Sequence, residues 1–486
     1  CLSRGLGDVY KRQMGFCLVY SGSFIARATV EQFGTTRVQL GLNPFDFQWE
    51  LNIGEDFQTP EVIMVYSEKG LGEMTRRFHR IIRKNLCRGK YRDGRRPILI
   101  NNWEATYFDF DEEKILNIAT QAKKIGVELM VLDDGWFGNR IDDKHSLGDW
   151  YPNLQKLPGG LKELGEKVNR LEMQLGLWIE PEMISADSNL YRIHPDWCIH
   201  TENRPRIEGR NQLILDLARE DVREYVLESL VDILANNKIS YVKWDMNRNM
   251  TDVAYSQQPH RYMLGLYSIL ETLTAQFPDV LFESCSGGGG RFDAGMLYYM
   301  PQIWTSDDTD ALERLYIQEG TFLVYPLSTM GTHISAVPNH QVGRVTPITF
   351  RGAVAFMGRF GLELDLNLVE KEELDILEKQ IKFYQKYQQV IHQGELYRLA
   401  SVYDGKYAAY EIISEDGNIV LVFCFNIKGI PNEGPERIFL QGLEKGGQYK
   451  DLENGATWDA SALMNVGIPM DVRYDMEASI HIYEKM

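Results

Sequence analysis

YVKWDMNR, residues 241–248, is the stretch that decides how this chain folds. Tyr241–Trp244 form an almost unbroken apolar run that stops on Asp245. A strand without polar alternation is covered on both faces, which is the habit of parallel sheets flanked by helices. On the N-terminal side lie four similar runs: Pro97–Trp103, Glu128–Asp133, Leu175–Ile179 and Leu213–Leu217. On the C-terminal side lie three more: Val280–Phe282, Gln302–Thr305 and Phe322–Tyr325. Amphipathic windows with helical spacing separate most of them, among them Phe110–Ile125, Leu161–Gln174, Glu220–Asn236 and Arg261–Phe277.

Eight such runs alternating with helices predict an α/β fold, a (β/α)8 TIM barrel over residues 91–393. An open doubly wound sheet is the competing reading. No GxGxxG or phosphate-binding loop follows the first run, which favours the barrel. Outside it the pattern is different. Phe24–Val30 and Arg37–Leu42 alternate and are punctuated by turns, so residues 14–90 read as the remnant of an N-terminal β-sandwich domain plus a linker. Residues 1–13, CLSRGLGDVYKRQ, carry no periodicity and read as a cloning or sequence-assembly scar. Glu370–Gln393 is a long helix. After it, Tyr407–Ile413, Ile419–Phe425, Arg437–Leu440 and Ala478–Tyr483 predict a C-terminal antiparallel β-sandwich over 394–486.

The bulk properties narrow the partners. The 486 residues carry a net charge of −17, which disfavours nucleic acid or an anionic membrane surface. The six cysteines are scattered with no CxxC pair, which points to reduced thiols and a cytoplasmic location rather than a disulfide framework. No run is long enough for a membrane span.

Barrel enzymes place their chemistry at the C-terminal strand ends. There the sequence puts Trp103-Glu104, Asp133-Asp134-Gly135-Trp136, Trp178-Ile179-Glu180-Pro181-Glu182, Lys243-Trp244-Asp245, Glu283-Ser284-Cys285 and Ser306-Asp307-Asp308. Buried carboxylates are costly, so this convergence implies use. Indole faces suit sugar C–H surfaces, and paired aspartates accept from vicinal hydroxyls. Two of the carboxylates fit acid/base and nucleophilic work on a glycosidic bond. Lys243 lies two residues before Asp245, on the same strand face, where its ammonium would keep the aspartate ionised. Asp307 lies two strands further round and is the acid/base candidate. Read singly, each has a plainer meaning: Asp245 as a helix cap, Lys243–Asp245 as a structural ion pair, Trp103 and Trp178 as core aromatics. Gly287–Gly290 lacks the Lys-Ser/Thr of a phosphate loop and reads as a turn that brings backbone close to a ligand. The histidines show no HxxxH spacing, so neither a metal nor a cofactor is expected.

At these motifs the chain stops being anonymous. NNWEATYFDF (101–110), LDDGWFG (132–138), GLWIEPEM (176–183), EGRNQLILDL (208–217), YVKWDMNR (241–248), ESCSGGGGRFD (283–293) and WTSDDTD (304–310) resemble bacterial α-galactosidases of glycoside hydrolase family 36, from about residue 20 to the end. The resemblance implies an N-terminal β-supersandwich, a barrel and a C-terminal β-sandwich. It implies hydrolysis, with retention, of terminal α-galactose from melibiose, raffinose and stachyose. By the same resemblance Asp245 is the nucleophile and Asp307 the acid/base. Asp133 and Asp134 hold the 4- and 6-hydroxyls. Trp103, Trp178, Arg210 and Lys243 line the sugar subsite, and Cys285 and Gly288 lie near the 2-hydroxyl. Family members carry a longer N-terminal domain and assemble as homotetramers. The chain is therefore expected to be N-terminally truncated, with tetramer formation a property of the full-length protein. Transgalactosylation, α-N-acetylgalactosaminidase activity, carbohydrate binding without turnover and metal-dependent barrel chemistry are the alternatives.

Overall fold

A computed structural model describes residues 12–486 except Glu433 and Pro435; most of the 1–13 stretch lies outside the described residues. Eight parallel strands close into a barrel: β1 (Leu99–Asn101), β2 (Leu129–Leu132), β3 (Gln174–Ile179), β4 (Ile239–Trp244), β5 (Leu281–Ser284), β6 (Gln302–Trp304), β7 (Met330–Ser335) and β8 (Arg359–Glu363). β8 pairs back onto β1 through Gly361 and Leu99, which closes the ring.

The register explains both the core and the site. Tyr241 lies beside Leu281 and Gly176, and Lys243 beside Glu283 and Trp178. Leu99 lies beside Leu129. Neighbours in a parallel sheet share a face and side chains repeat every second residue. Each inward column therefore runs from an apolar floor to a polar top: Leu99 then Asn101; Leu129, Val131 then Asp133; Tyr241, Lys243 then Asp245; Leu281, Glu283 then Cys285. Leu99, Leu129, Val131, Tyr241 and Leu281 form their own buried cluster at the barrel floor. Outward residues such as Ile100, Met130 and Val242 join the main core against the helices. The helix Glu112–Lys124 shows the local rules. Asp111 caps it by accepting from the Lys114 N–H at 2.9 Å, Ile115, Ile118, Ala119 and Ala122 face inward, and Gly126 follows its end at φ +98°.

Two of the eight runs are not barrel strands. Leu213–Leu217 supplies a two-residue antiparallel ladder, Leu213–Ile214 against Met183–Ile184, in the excursion after β3. It is fully buried and so apolar without belonging to the barrel. Phe322–Tyr325 is the last turn of the helix Ala311–Phe322 and the loop beyond it. The true last strands are MGTHIS (β7) and RFGLE (β8), whose inward His333, Arg359 and Glu363 interrupt hydrophobicity. Asp245 therefore follows the fourth strand rather than the fifth and Asp307 the sixth rather than the seventh. Their offset of two strands is unchanged.

The N-terminal part contains the hairpin Phe24–Val30/Thr36–Leu42 and the pair Gln13–Val19/Glu61–Ser67. The C-terminal part is a six-stranded antiparallel sheet with a smaller two-stranded one beside it. Among the described residues no helix is long and apolar enough to cross a membrane.

One buried knot locks the barrel rim. Glu182 is 0% exposed and accepts from both terminal nitrogens of Arg291 (3.0 and 2.6 Å), the Trp244 indole (2.8 Å) and the Tyr262 hydroxyl (2.7 Å). Removing one partner of a buried ion pair leaves an uncompensated charge. Arg291→Ala is expected to lower unfolding free energy by about 3–5 kcal/mol, measured by urea denaturation; an unchanged midpoint overturns this account.

Candidate active site

The tops of the inward columns enclose a cavity of about 370 Å³ lined by Trp103, Asp133, Asp134, Trp178, Arg210, Lys243, Asp245 and Asp307. Eight of the ten residues singled out in the sequence thus share one wall. Cys285 and Gly288 are not on it. Cys285 is buried, and its backbone N–H extends the barrel ladder to the Trp244 carbonyl at 2.7 Å. Gly288 has φ +84°, and a Cβ there would sit 2.5 Å from the Asp307 nitrogen. It is a glycine because the backbone carrying Asp307 packs directly on it.

Asp245 is placed by sheet hydrogen bonding carried past the end of β4, its N–H donating to the Ile179 carbonyl at 2.8 Å. Four donors converge on its carboxylate. The Trp178 indole (3.1 Å) and the Asn247 amide (2.8 Å) reach Oδ2, and the backbone N–H groups of Met246 (2.8 Å) and Gly287 (3.3 Å) reach Oδ1. The Asn247 carbonyl oxygen accepts in turn from Arg210 at 2.6 Å. Arg210 itself sits at φ +50°, a conformation costly for a non-glycine residue and found disproportionately at functional sites.

Lys243 serves a different partner from the expected one. Its ammonium pairs with Asp133 Oδ2 at 2.9 Å. Burial works against the charge, yet Asp133 and Glu363 hold its pKa well above the ordinary lysine range. Asn101 also donates to Asp133 at 2.5 Å. Asp134 is clamped by Arg140 at 3.0 and 2.8 Å, and burial still raises its pKa.

Asp307 stands at the cavity mouth and is solvent-exposed as a residue. Its carboxyl accepts from the Trp304 indole at 3.0 Å. Desolvation by the surrounding wall and then the nearby Asp245 push its pKa up to about 6, an effect moderated by solvent at the mouth.

Several lining residues escaped the sequence reading. Glu363 tops β8, and its Oε2 lies 2.9 Å from His333 Nδ1. Burial opposes its charge, but His333 and Lys243 keep its pKa below the ordinary value. Glu104 and Glu180 were noted as strand-end carboxylates without a role. Burial first, then Glu363 for Glu104 and Asp245 for Glu180, pushes the pKa of each up to about 8. Tyr107, His340 and Gln341 come from two loops, with the Tyr107 hydroxyl 2.6 Å from His340 Nδ1. No periodicity marks such loop residues. Glu182, Glu283 and Asp308, equally conspicuous as strand-end acids, are absent from the wall; Glu182 belongs to the rim knot and Glu283 accepts from Gln302.

The chain's likeness to known proteins agrees with this geometry. The Melibiase family profile matches residues 56–394, the glycosyl hydrolase family 36 N-terminal domain matches 7–52 and the family 36 C-terminal domain matches 407–482. The chain is 53% identical over 475 residues to the α-galactosidase AgaA of Geobacillus stearothermophilus, covering 96% of this chain and 64% of that protein. It is 45% identical over 489 residues to the α-galactosidase Mel36A of Lactobacillus acidophilus, covering 99% and 66%. The crystal structure of AgaA matches with a TM-score of 0.96 at 52% identity, over 98% of this chain and 67% of that one. AgaA variants have been solved in complex with raffinose and with stachyose. The chain spans about two thirds of the length of these curated relatives. With the barrel, its carboxylate-lined cavity and both flanking β regions each accounted for, this chain belongs to the Melibiase family of glycosyl hydrolase family 36.

Proposed function

We propose that this chain carries the catalytic centre of a retaining α-galactosidase acting on melibiose-, raffinose- and stachyose-type oligosaccharides. One observation carries the reading: two aspartates in the same cavity live in opposite environments. Asp245 meets four donors and offers an acceptor-only carboxylate. Asp307 meets one donor and is biased toward its protonated form. One carboxylate filled with donors beside a second that has a single donor and a raised pKa is the sign of divided nucleophile and acid roles. Asp307 protonates the leaving oxygen while Asp245 attacks the anomeric carbon, giving a covalent galactosyl-enzyme. Water then attacks that intermediate as Asp307 takes back a proton.

The sugar would sit between Trp178 and Trp103, with Asp133, Asp134, Lys243 and Arg210 as its polar contacts. Cys285 and Gly288 lie behind the cavity wall, and Gly288 bears on the sugar only through the Asp307 backbone that packs on it. The domain limits 14–90, 91–393 and 394–486 belong to the same proposal. So do a cytoplasmic location, supported by five free, buried cysteines among the described residues, and a homotetramer of the full-length protein. Exposed Val30, Phe33 and Phe45 in the N-terminal part favour such a contact.

Asp245→Ala is expected to lower melibiose hydrolysis by roughly 10⁴-fold or more while galactose still binds. An active Asp245→Ala variant refutes the nucleophile, and a wild-type chain that binds without turnover favours a lectin-like role. The pH dependence has a definite sign. Asp307 must be protonated for the first step, and its pKa is raised to about 6. Activity should therefore fall as pH rises through about 6, and Asp307→Asn should abolish that limb. Gly288→Ala forces a Cβ into the Asp307 backbone and a side chain onto a left-handed φ, costing about 1–3 kcal/mol of strain. It should reduce activity on melibiose more than it lowers the unfolding midpoint; unaltered kinetics would show that the contact is slack.

A further inference from the structure

We propose that Trp304 is the positioning residue of the acid/base: its indole N–H fixes Asp307 Oδ1, so that Oδ2 is the oxygen that carries and delivers the catalytic proton. The inference rests on Asp307 being the acid/base.

The indole can do this because it is itself immobilised. Trp304 is the last residue of β6, is 2% exposed and borders the cavity. Gly331 on β7 makes the space, since a Cβ there would stand 3.1 Å from the ring. The His333 ring packs against the indole at a centroid distance of 4.3 Å. The Arg314 guanidinium lies 4.8 Å from the ring centroid and the Lys243 ammonium 5.8 Å. Two cations within reach of the ring hold it by cation–π attraction and draw electron density from it, which sharpens the N–H as a donor.

The backbone bearing Asp307 is pinned separately. Arg314 Nη1 donates to the Ser306 carbonyl at 2.8 Å, Gln341 donates to the Asp307 carbonyl at 2.9 Å, and Gly288 packs beneath. These contacts fix Cα but leave the carboxyl free to turn. The 3.0 Å bond from Trp304 is the side-chain contact that removes this freedom. An oxygen already accepting an N–H is a poor seat for the proton, so the proton resides on Oδ2. The titratable and charged groups facing Asp307 are Asp245, Lys243, Glu363, Glu104, Arg314 and Cys285, none of which hydrogen-bonds to either carboxyl oxygen.

Trp304→Phe keeps an aromatic ring and removes the N–H. Turnover of melibiose, which has a poor leaving group, is expected to fall roughly 10–100-fold, less than the roughly 10²–10⁴-fold that full loss of general-acid catalysis costs. Hydrolysis of 4-nitrophenyl α-galactoside, whose leaving group needs little protonation, should fall far less. The basic limb of the pH profile should move upward, because an N–H donor favours the ionised carboxylate and its loss favours the protonated one. A wild-type limb together with an equal loss on both substrates overturns the proposal. Should Trp304→Phe fail to fold, 3-benzothienylalanine at position 304 preserves the ring shape, replaces N–H by sulfur and is read by the same two criteria. Asp307→Asn, measured in parallel, separates the layers. If it keeps the basic limb, the acid/base assignment itself fails; if it loses the limb while Trp304→Phe behaves as wild type, only the role of Trp304 fails.

Discussion

Everything at the top of this barrel depends on holding Lys243 charged in a place where a charge should not survive. It projects inward from β4, two residues above the Tyr241 floor, and is 5% exposed. Its ammonium persists because Asp133 meets it at 2.9 Å and Glu363 stands near. Those acids are held in turn, Asp133 by Asn101 and Glu363 by His333. A half-satisfied set of this kind would cost more than an apolar core. Residues from β1, β2, β4, β7 and β8 are therefore tied to one another by the requirement that no charge be left alone. The same charges act on their neighbours: burial and then Glu363 raise the Glu104 pKa to about 8, and burial and then Asp245 raise that of Asp307 to about 6, with Lys243 opposing.

How much of this could be read from the chain follows from where polarity falls along each strand. β2, β3, β4 and β5 keep their charged residues at the last inward positions, so an apolar run precedes each functional side chain and announces it. Asp133, Trp178 and Asp245 were legible for that reason. β7 and β8 carry His333, Arg359 and Glu363 inside a five- or six-residue strand, which no longer looks apolar. Hydrophobicity then located substitutes, the buried ladder at Leu213–Ile214 and the helix end at Phe322. The count of eight came out right with two wrong members. Glu363 was lost with its strand. Lys243 was seen correctly as an inward cation, but strand spacing cannot say which of several acids across the barrel it reaches, and the partner is Asp133 rather than Asp245.

Spacing along a strand also cannot separate a carboxylate that faces ligand from one that faces protein. Glu180 and Glu182 are two residues apart on the same sequence motif and both are fully buried. Glu182 has every lone pair spoken for by Arg291, Trp244 and Tyr262, and is a structural element of the rim. Glu180 binds Gln212 at 2.9 Å and the Asn247 backbone, borders the cavity and shares the field of Asp245. What distinguishes them is the supply of cations. Arg291 neutralises one directly, while for the other Arg140 acts only through its field and burial raises the pKa to about 8. Cations are not the whole of it: Asp245 is contacted by no arginine or lysine and is met by four N–H donors instead. Asp307 has neither a cation nor a full set of donors, and burial and then Asp245 raise its pKa to about 6.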